Sequence, residues 1–337
     1  EVGASSGIKL NAWIKGINWG DYDNDGWQDL YVSVLGGPNH LFRNLGTKPG
    51  ALPQFEDVTF KAGVEQPFMS FPCWFWDFNN DGWLDIFVSG YSADLPAIAR
   101  AALGEKDPRA ETPRLYRNNH DGTFTDVTAT QKLDQPLLTM GSNYGDLDND
   151  GWPDMYLGTG APGQELLIPN RMFHNHDGKI FDDVTTAGGT GHLQKGHGVA
   201  WGDIDNDGDQ DIYEDIGGAF DADGFWNVLF ENPGHAGNHW ITLRLTGVKA
   251  NRFAVGARLR VRVKHADGST RGIHHLVGSG GSFGANSLQA EIGLGPARAI
   301  ESIEVRWPGS GLVQTFTAPA MDRIYRVTEG SATLTAP

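Results

Sequence analysis

The sequence predicts an all-β protein: a β-propeller with four blades visible, followed by a small antiparallel β-sandwich. Three observations carry this reading. A nine-residue acidic loop, D-x-(D/N)-x-D-G-x-x-D, occurs four times, each copy directly ahead of a short apolar strand. Two further signatures recur between the loops at near-constant spacing. The 46 Gly and 11 Trp in 337 residues suit tight turns and large flat side chains between packed sheets.

The loops are residues 21–29, 77–85, 146–154 and 203–211. Carboxylates at alternate positions converge on one point, and the Gly at position 6 lets the backbone turn around it. Such a pattern cages a hard cation with oxygen ligands. Positions 1, 3 and 5 supply Asp21, Asp23 and Asp25; Asp77, Asn79 and Asp81; Asp146, Asp148 and Asp150; Asp203, Asp205 and Asp207. Position 7 gives a backbone carbonyl, from Trp27, Trp83, Trp152 and Asp209, and Asp29, Asp85, Asp154 and Asp211 close each site. An EF-hand needs Glu at position 12 and flanking helices, whereas position 12 here is Val32, Val88, Leu157 and Glu214, in runs that read as strand. The expectation is about four Ca²⁺ ions in strand-loop-strand sites. Asx-turns in acidic hairpins are the plainer alternative, and four copies with one ligand spacing speak against it.

Each loop is followed by a strand: Leu30-Tyr31-Val32, Ile86-Phe87-Val88, Met155-Tyr156-Leu157 and Ile212-Tyr213. A second signature follows, Leu41-Phe42-Arg43-Asn44, Leu115-Tyr116-Arg117-Asn118, Met172-Phe173-His174-Asn175 and Leu229-Phe230-Glu231-Asn232. A third, F-x-D-V-T, places Val58, Val127 and Val184 each 19 residues before the next loop. Loop intervals of 56, 69 and 57 residues suit one four-stranded blade plus connections. The extra length of the second interval falls between Ser89 and Pro113, with a short helix expected near Ala97 to Lys106. The fourth unit lacks an F-x-D-V-T strand, while Val2 stands 19 residues before Asp21. Residues 1–3 are therefore expected to pair beside Leu229 to Asn232 and close the ring. The competing account makes Glu1 the remnant of an earlier blade in a larger propeller.

These motifs resemble the FG-GAP/VCBS repeat of integrin α-subunit propellers and many bacterial surface proteins, over about residues 1–232. From Asn238 a different pattern begins: Asn238-His239-Trp240-Ile241, Gly256-Ala257-Arg258-Leu259, Gly278-Ser279-Gly280-Gly281-Ser282-Phe283 and Val305-Arg306-Trp307-Pro308-Gly309. It is similar to the ASPIC/UnbV domain of the cartilage acidic protein family and its bacterial relatives. The chain divides accordingly into residues 1–234, the calcium-binding propeller, and residues 235–337, the sandwich. Independently, Arg258 to Lys264 alternates basic residues with Leu259, Val261 and Val263, the period of a half-buried strand. His265-Ala266-Asp267-Gly268-Ser269 reads as a hairpin turn, and Ile300 to Trp307 and Ile324 to Val327 as further strands.

Composition narrows function. The net charge of −16 is concentrated in the acidic loops, which argues against nucleic-acid binding. No run approaches ~18 apolar residues, so no transmembrane segment is expected. Cys73 is the only cysteine and reads as a small buried hydrophobe. Trp19, Trp76, Trp201, Trp27, Trp83 and Trp152 read as packing between blades rather than sugar platforms, and His192, His197, His274 and His275 as turn or surface residues. No nucleophile elbow or P-loop is present, and the Gly-rich run at 278–282 precedes no helix.

Calcium sites of modest affinity stay filled outside the cytosol, so an extracytoplasmic location is expected: periplasmic, cell-surface or secreted. The functional expectation is a non-enzymatic, calcium-stabilised scaffold, with no catalytic residues assigned. Its partner would be another extracytoplasmic or membrane-complex protein, or a surface glycan. The alternative is an enzyme, lyase-like or in secondary-metabolite biosynthesis, using the propeller's central cavity with a base such as His197.

Overall fold

The computed structural model describes residues 1–48, 50–218, 220–221, 224–234 and 237–337. Three antiparallel sheets of four strands follow one another, each in simple chain order. The first holds β1 (Ile14–Gly20), β2 (Asp29–Val34), β3 (His40–Asn44) and β4 (Phe55–Asp57). The second holds β5 (Ser70–Trp76), β6 (Asp85–Gly90), β7 (Arg114–Asn118) and β8 (Phe124–Asp126). The third holds β9 (Thr139–Gly145), β10 (Asp154–Thr159), β11 (Arg171–His176) and β12 (Ile180–Asp183). A fourth contains β13 (Gly196–Gly202), β14 (Asp211–Ile216) and β15 (Val228–Phe230). The protein is all-β, and its repeated sheets have the form of propeller blades. The expected helical excursion is the helix Leu95–Ala102, capped by Asp94, whose side chain accepts from the Ala97 amide.

Apolar side chains from neighbouring blades interlock. Tyr31 and Leu41 of the first blade meet Phe75 and Ile86 of the second. Trp76 and Phe87 meet Met155, Phe173 and Phe181 of the third. Tyr156 and Met172 meet Trp201 and Ile212 of the fourth. Each such ring contributes roughly 1.5–3 kcal/mol by burial. The expected role of tryptophan as inter-blade packing thus holds for Trp76 and Trp201, both buried. It fails for Trp19, which is 49% exposed. Trp19 occupies the register position of Phe75, Tyr144 and Trp201, which rest on the preceding blade. No described blade lies on that side of β1.

The closure expected of residues 1–3 is not observed. Their backbone forms no strand; the Val2 carbonyl accepts from the Ser6 amide ahead of a 3-10 turn, Ala4–Ser6. The segment lies along the first blade, where Ile8 and Leu10 pack on Leu30, Val34 and Phe55 and Gln54 Nε2 donates to the Ser5 carbonyl. The physical reason is local: the apolar flank of the first blade sits next to the segment in the chain, and Ile8 and Leu10 cover part of it. The four blades form an arc.

The sandwich begins with β16 (His239–Thr246) and includes β17 (Arg258–Lys264) and β18 (Thr270–Leu276), then β19 (Gly284–Asn286) outside it. It is completed by β20 (Ala290–Gly295), β21 (Ala299–Arg306), β22 (Val313–Thr317) and β23 (Arg323–Thr328). One sheet runs β20-β16-β23 and the other β18-β17-β21-β22, around a core of Ile241, Leu243, Val261, Ile303 and their neighbours. The predicted alternation of β17 and the 265–269 hairpin are present. The sandwich is not wholly antiparallel, since β16 and β23 run parallel.

Strand β19 leaves the sandwich and joins the fourth blade, parallel to β13, with Val199 opposite Gly284. The run before it crosses the inner strands of all four blades. Asn18 Nδ2 of β1 donates to the Gly280 carbonyl at 2.7 Å. The Cys73 amide of β5 donates to Ser282 Oγ at 3.1 Å. The Gly281 amide donates to Asn143 Oδ1 of β9 at 2.9 Å, and the Val199 amide of β13 to the Phe283 carbonyl. Glycine is required by this crowding: a Cβ on Gly284 would stand 2.0 Å from the Val199 carbonyl oxygen. The Gly-rich run is a strap through the axis of the arc.

Candidate metal centres

The four acidic loops share one hydrogen-bond plan. The position-1 carboxylate accepts from the amides at positions 5 and 6: Asp21 from Asp25 and Gly26, Asp77 from Asp81 and Gly82, Asp146 from Asp150 and Gly151, Asp203 from Asp207 and Gly208. Gly26, Gly82, Gly151 and Gly208 adopt φ between 84° and 100°, which explains their invariance across the copies. The position-4 residues Asn24, Asn80, Asn149 and Asn206 are also left-handed, a conformation Asn tolerates better than most side chains.

The position-9 carboxylates anchor the loops to their blades. Asp29 accepts from the Tyr22 amide and, at 2.8 Å, from the Asn44 amide. Asp154 accepts likewise from Leu147 and Asn175, and Asp211 from Ile204 and Asn232. Asp85 accepts from Asn118. These four, at most 3% exposed, tie each loop to the third strand of its blade or, for Asp211, to Asn232 just beyond it.

Three loops bring carboxylate oxygens together within 4.8 Å: Asp21, Asp23 and Asp29; Asp146, Asp148 and Asp150; Asp203, Asp205 and Asp207. The third loop offers a second combination, Asp148, Asp154 and His174. In the second loop Asn79 replaces a carboxylate and donates to Asp81 Oδ2 at 2.9 Å, and its three Asp do not form such a group. The side chains at position 7 differ in their surroundings. Trp27 is exposed; Trp83 stacks on His120 with ring centres 4.6 Å apart; Trp152 lies under Arg271.

The electrostatics favour a cation. Burial pushes Asp29 up to about 8. Burial, with the charge of Asp81 adding, pushes Asp77 up to about 7. Burial and the charge of Asp148 push Asp150 up to about 6. Asp146 is raised by burial and by Asp150. Carboxylates held this close and this dry resist ionisation until a positive charge joins them. The donor set of the first and fourth loops is all oxygen, as hard cations require.

Sequence reasoning missed the basic side chains that already face these loops. Arg43 Nε donates to Asp23 Oδ2 at 2.6 Å, His120 Nε2 lies 3.2 Å from Asp81, and His174 Nε2 lies 3.3 Å from Asp148. Arg43 and His174 share the third position of the L-F-R-N signature, so the repeat itself carried the signal. The reading of His274 and His275 as surface residues also changes. Both lie on β18, half-buried beside the loops; the His274 amide donates to Asn80 Oδ1, and burial lowers both imidazoles to about 4. His197 sits on β13 packed against Gly217. Cys73 is buried as expected, its thiol pushed up to about 12 by burial.

The sandwich reaches every loop. Arg258 Nη2 donates to the Asp21 carbonyl at 2.6 Å and to Asn24 Oδ1 at 2.8 Å. Arg271 donates to the Asp150 carbonyl, Asn238 Nδ2 to the Asp148 carbonyl and Arg244 Nη2 to Asn206 Oδ1. The His274 amide bond adds the second loop.

Comparison with known proteins agrees with this architecture. The FG-GAP-like repeat model matches residues 21–88 and 77–157, and the ASPIC and UnbV model matches residues 247–334. The fourth loop lies outside both matches. Cartilage acidic protein 1 of Mus musculus is 24% identical over 349 residues, covering 100% of this chain and 49% of the relative. The Homo sapiens and Xenopus tropicalis proteins of the same name are each 24% identical, covering 93% and 91% of this chain and 43% of their own lengths. The chain thus carries FG-GAP-like repeats and an ASPIC/UnbV domain, and is homologous to cartilage acidic protein 1 at low identity. It spans about half the length of the curated relatives it matches.

Proposed function

We propose that this chain is a calcium-stabilised extracytoplasmic scaffold that docks another protein. Ca²⁺ would sit in each loop on the position 1, 3 and 5 side chains and the position-7 carbonyl, with the position-9 carboxylate closing the site. Calcium is favoured over magnesium because several side chains and a carbonyl are offered together, with little room for the waters magnesium retains. Residues 1–234 would supply the metal-bearing propeller and residues 235–337 the sandwich clamped on it.

The observation that carries the scaffold reading is the strap. An enzyme of this shape would work from an axial cavity, and residues 278–287 run there. Exposed apolar side chains are spread over the outer surface, among them Trp226 at 93%, Phe60 at 74% and Trp13 at 67% exposed. An extracytoplasmic setting, where calcium is plentiful, suits loops of this design. Among the described residues no helix is long and apolar enough to cross a membrane.

Isothermal titration with Ca²⁺, alongside pull-down from the native envelope with and without chelator, tests this reading. It expects multiple calcium sites and partner capture that chelator abolishes and Asp25→Ala weakens. Turnover of a substrate that persists in chelator, or capture indifferent to both changes, would overturn it.

A further inference from the structure

A cleft of about 710 Å³ opens between the first two acidic loops and the sandwich. One wall carries Asp21, Asp25, Asp77 and Asp81; the other carries Arg258, Arg260 and Arg306. The basic wall follows from strand periodicity. Alternate residues of β17 point to one face, so the pattern that buries Leu259 and Val261 presents Arg258 and Arg260 on the opposite side. Register then sets Arg306 of β21 beside Arg258, and His274 and Glu304 beside Arg260.

The guanidinium groups are not equivalent. Arg258 is engaged with the Asp21 carbonyl and Asn24, although its buried Nε has no partner. Arg306 Nε donates to Glu304 at 3.0 Å and remains 67% exposed on its side chain. Arg260 is exposed and, among the described residues, has no carboxylate within ion-pair distance. Arg260 is therefore the guanidinium of the basic wall left free to take a carboxylate from outside the chain. Its rim is apolar: Trp27, Leu312 and Val313 are all exposed there. The volume falls in the range of sites that hold drug-sized ligands, and its position between two domains is where such sites concentrate.

We propose that this cleft is a docking groove for an acidic peptide segment of the partner protein. Arg260 takes a peptide carboxylate, Arg306 assists at the rim, and Trp27, Leu312 and Val313 receive an adjacent apolar side chain. Charge complementarity selects this occupant: guanidinium and carboxylate meet as two parallel hydrogen bonds, and an apolar neighbour matches the rim. The groove rests on the scaffold reading and adds a metal condition to it. Without cations, four carboxylates on the facing wall repel an acidic ligand; with a dication in each of the two loops that repulsion is removed.

Fluorescence anisotropy on the full chain tests the groove, using a labelled acetyl-Leu-Asp-Asp-Leu-Asp peptide in saturating Ca²⁺. The expected result is saturable binding that falls at least tenfold in Arg260→Glu, is absent for the Asn-substituted peptide and weakens on chelation. Melting temperature and calcium stoichiometry, measured on the same samples, should match the parent protein, because among the described residues Arg260 makes no hydrogen bond or ion pair with a loop. No binding by the parent protein, equal binding by Arg260→Glu, or binding of a uronic-acid disaccharide in place of the peptide would overturn the groove. A calcium titration without heat would overturn the metal reading separately, and Arg260-dependent peptide binding that ignores chelator would refute the metal condition.

Discussion

Glu214 is a carboxylate placed where its blade counterparts are the hydrocarbons Val32, Val88 and Leu157. It is fully buried, and Asn170 Nδ2 donates to its Oε1 at 2.5 Å. Tyr156 Oη lies 3.0 Å from Oε2 and 2.7 Å from the Thr190 carbonyl. One phenol proton cannot serve both acceptors, so a protonated Glu214 donating to Tyr156 satisfies all three groups. Burial accordingly pushes Glu214 up to about 7 from the usual 4.5. The sign follows from which state holds the proton. Between these values the folded chain keeps it and the unfolded chain releases it. This group's contribution is therefore complete below the unfolded value and declines as pH rises through the folded one, by up to about 3 kcal/mol. Glu214→Gln, neutral throughout, should flatten that part of the profile. Urea midpoints at about pH 5 and about pH 8 in saturating Ca²⁺ would check it; an unchanged pH slope in the variant would count against the assignment.

At the scale of elements, the loops are linked in series. Asn24 Nδ2 donates to the Gly82 carbonyl of the next loop, Asn80 to Gly151 and Asn149 to Gly208. In the other direction Asn118 reaches the Tyr22 carbonyl of the loop before it, Asn175 reaches Phe78 and Asn232 reaches Leu147. Asn175→Ala deletes the bonds to Phe78 and Pro153 and strands their carbonyls, a loss of roughly 1–3 kcal/mol that thermal melting would register. The loops themselves were legible because their ligands lie within nine residues of one another. Asn175 was visible as part of a repeated signature, but its work is done on a residue 97 positions upstream, which no local pattern reveals. The strap was illegible for the same reason, since a Gly-rich run reads as a loose turn until its neighbours are known. Gly284→Val should expel it, because the added atoms collide with the β13 backbone. Quenching of Trp74, which lies 2.9 Å from where a Cβ on Gly281 would be, should then increase relative to the parent protein; unaltered quenching would mean that the strap does not shield the axis.

For the whole molecule, the proposed calcium sites predict that metal occupancy and domain docking form one equilibrium. A cation that binds the folded loop and not the open chain stabilises by RT ln(1 + [Ca²⁺]/Kd), about 2.7 kcal/mol per site at a hundredfold excess over Kd. Several sites together then approach a typical stability of about 5–15 kcal/mol. Asp25→Ala, removing one proposed ligand of one loop, should reproduce only part of the loss caused by chelator. The sandwich must share in that loss, because Arg258, Arg271 and Asn238 bond to backbone carbonyls of the first and third loops. Those carbonyls are oriented by the same turns that gather the carboxylates. Calorimetry in Ca²⁺ should therefore record one transition for propeller and sandwich together, and chelator should lower its midpoint sharply. Arg258→Ala with Arg271→Ala should divide it into two, with only the propeller transition still responding to calcium. A sandwich that already melts separately in the parent protein, at a temperature indifferent to chelator, would show that the clamp transmits nothing.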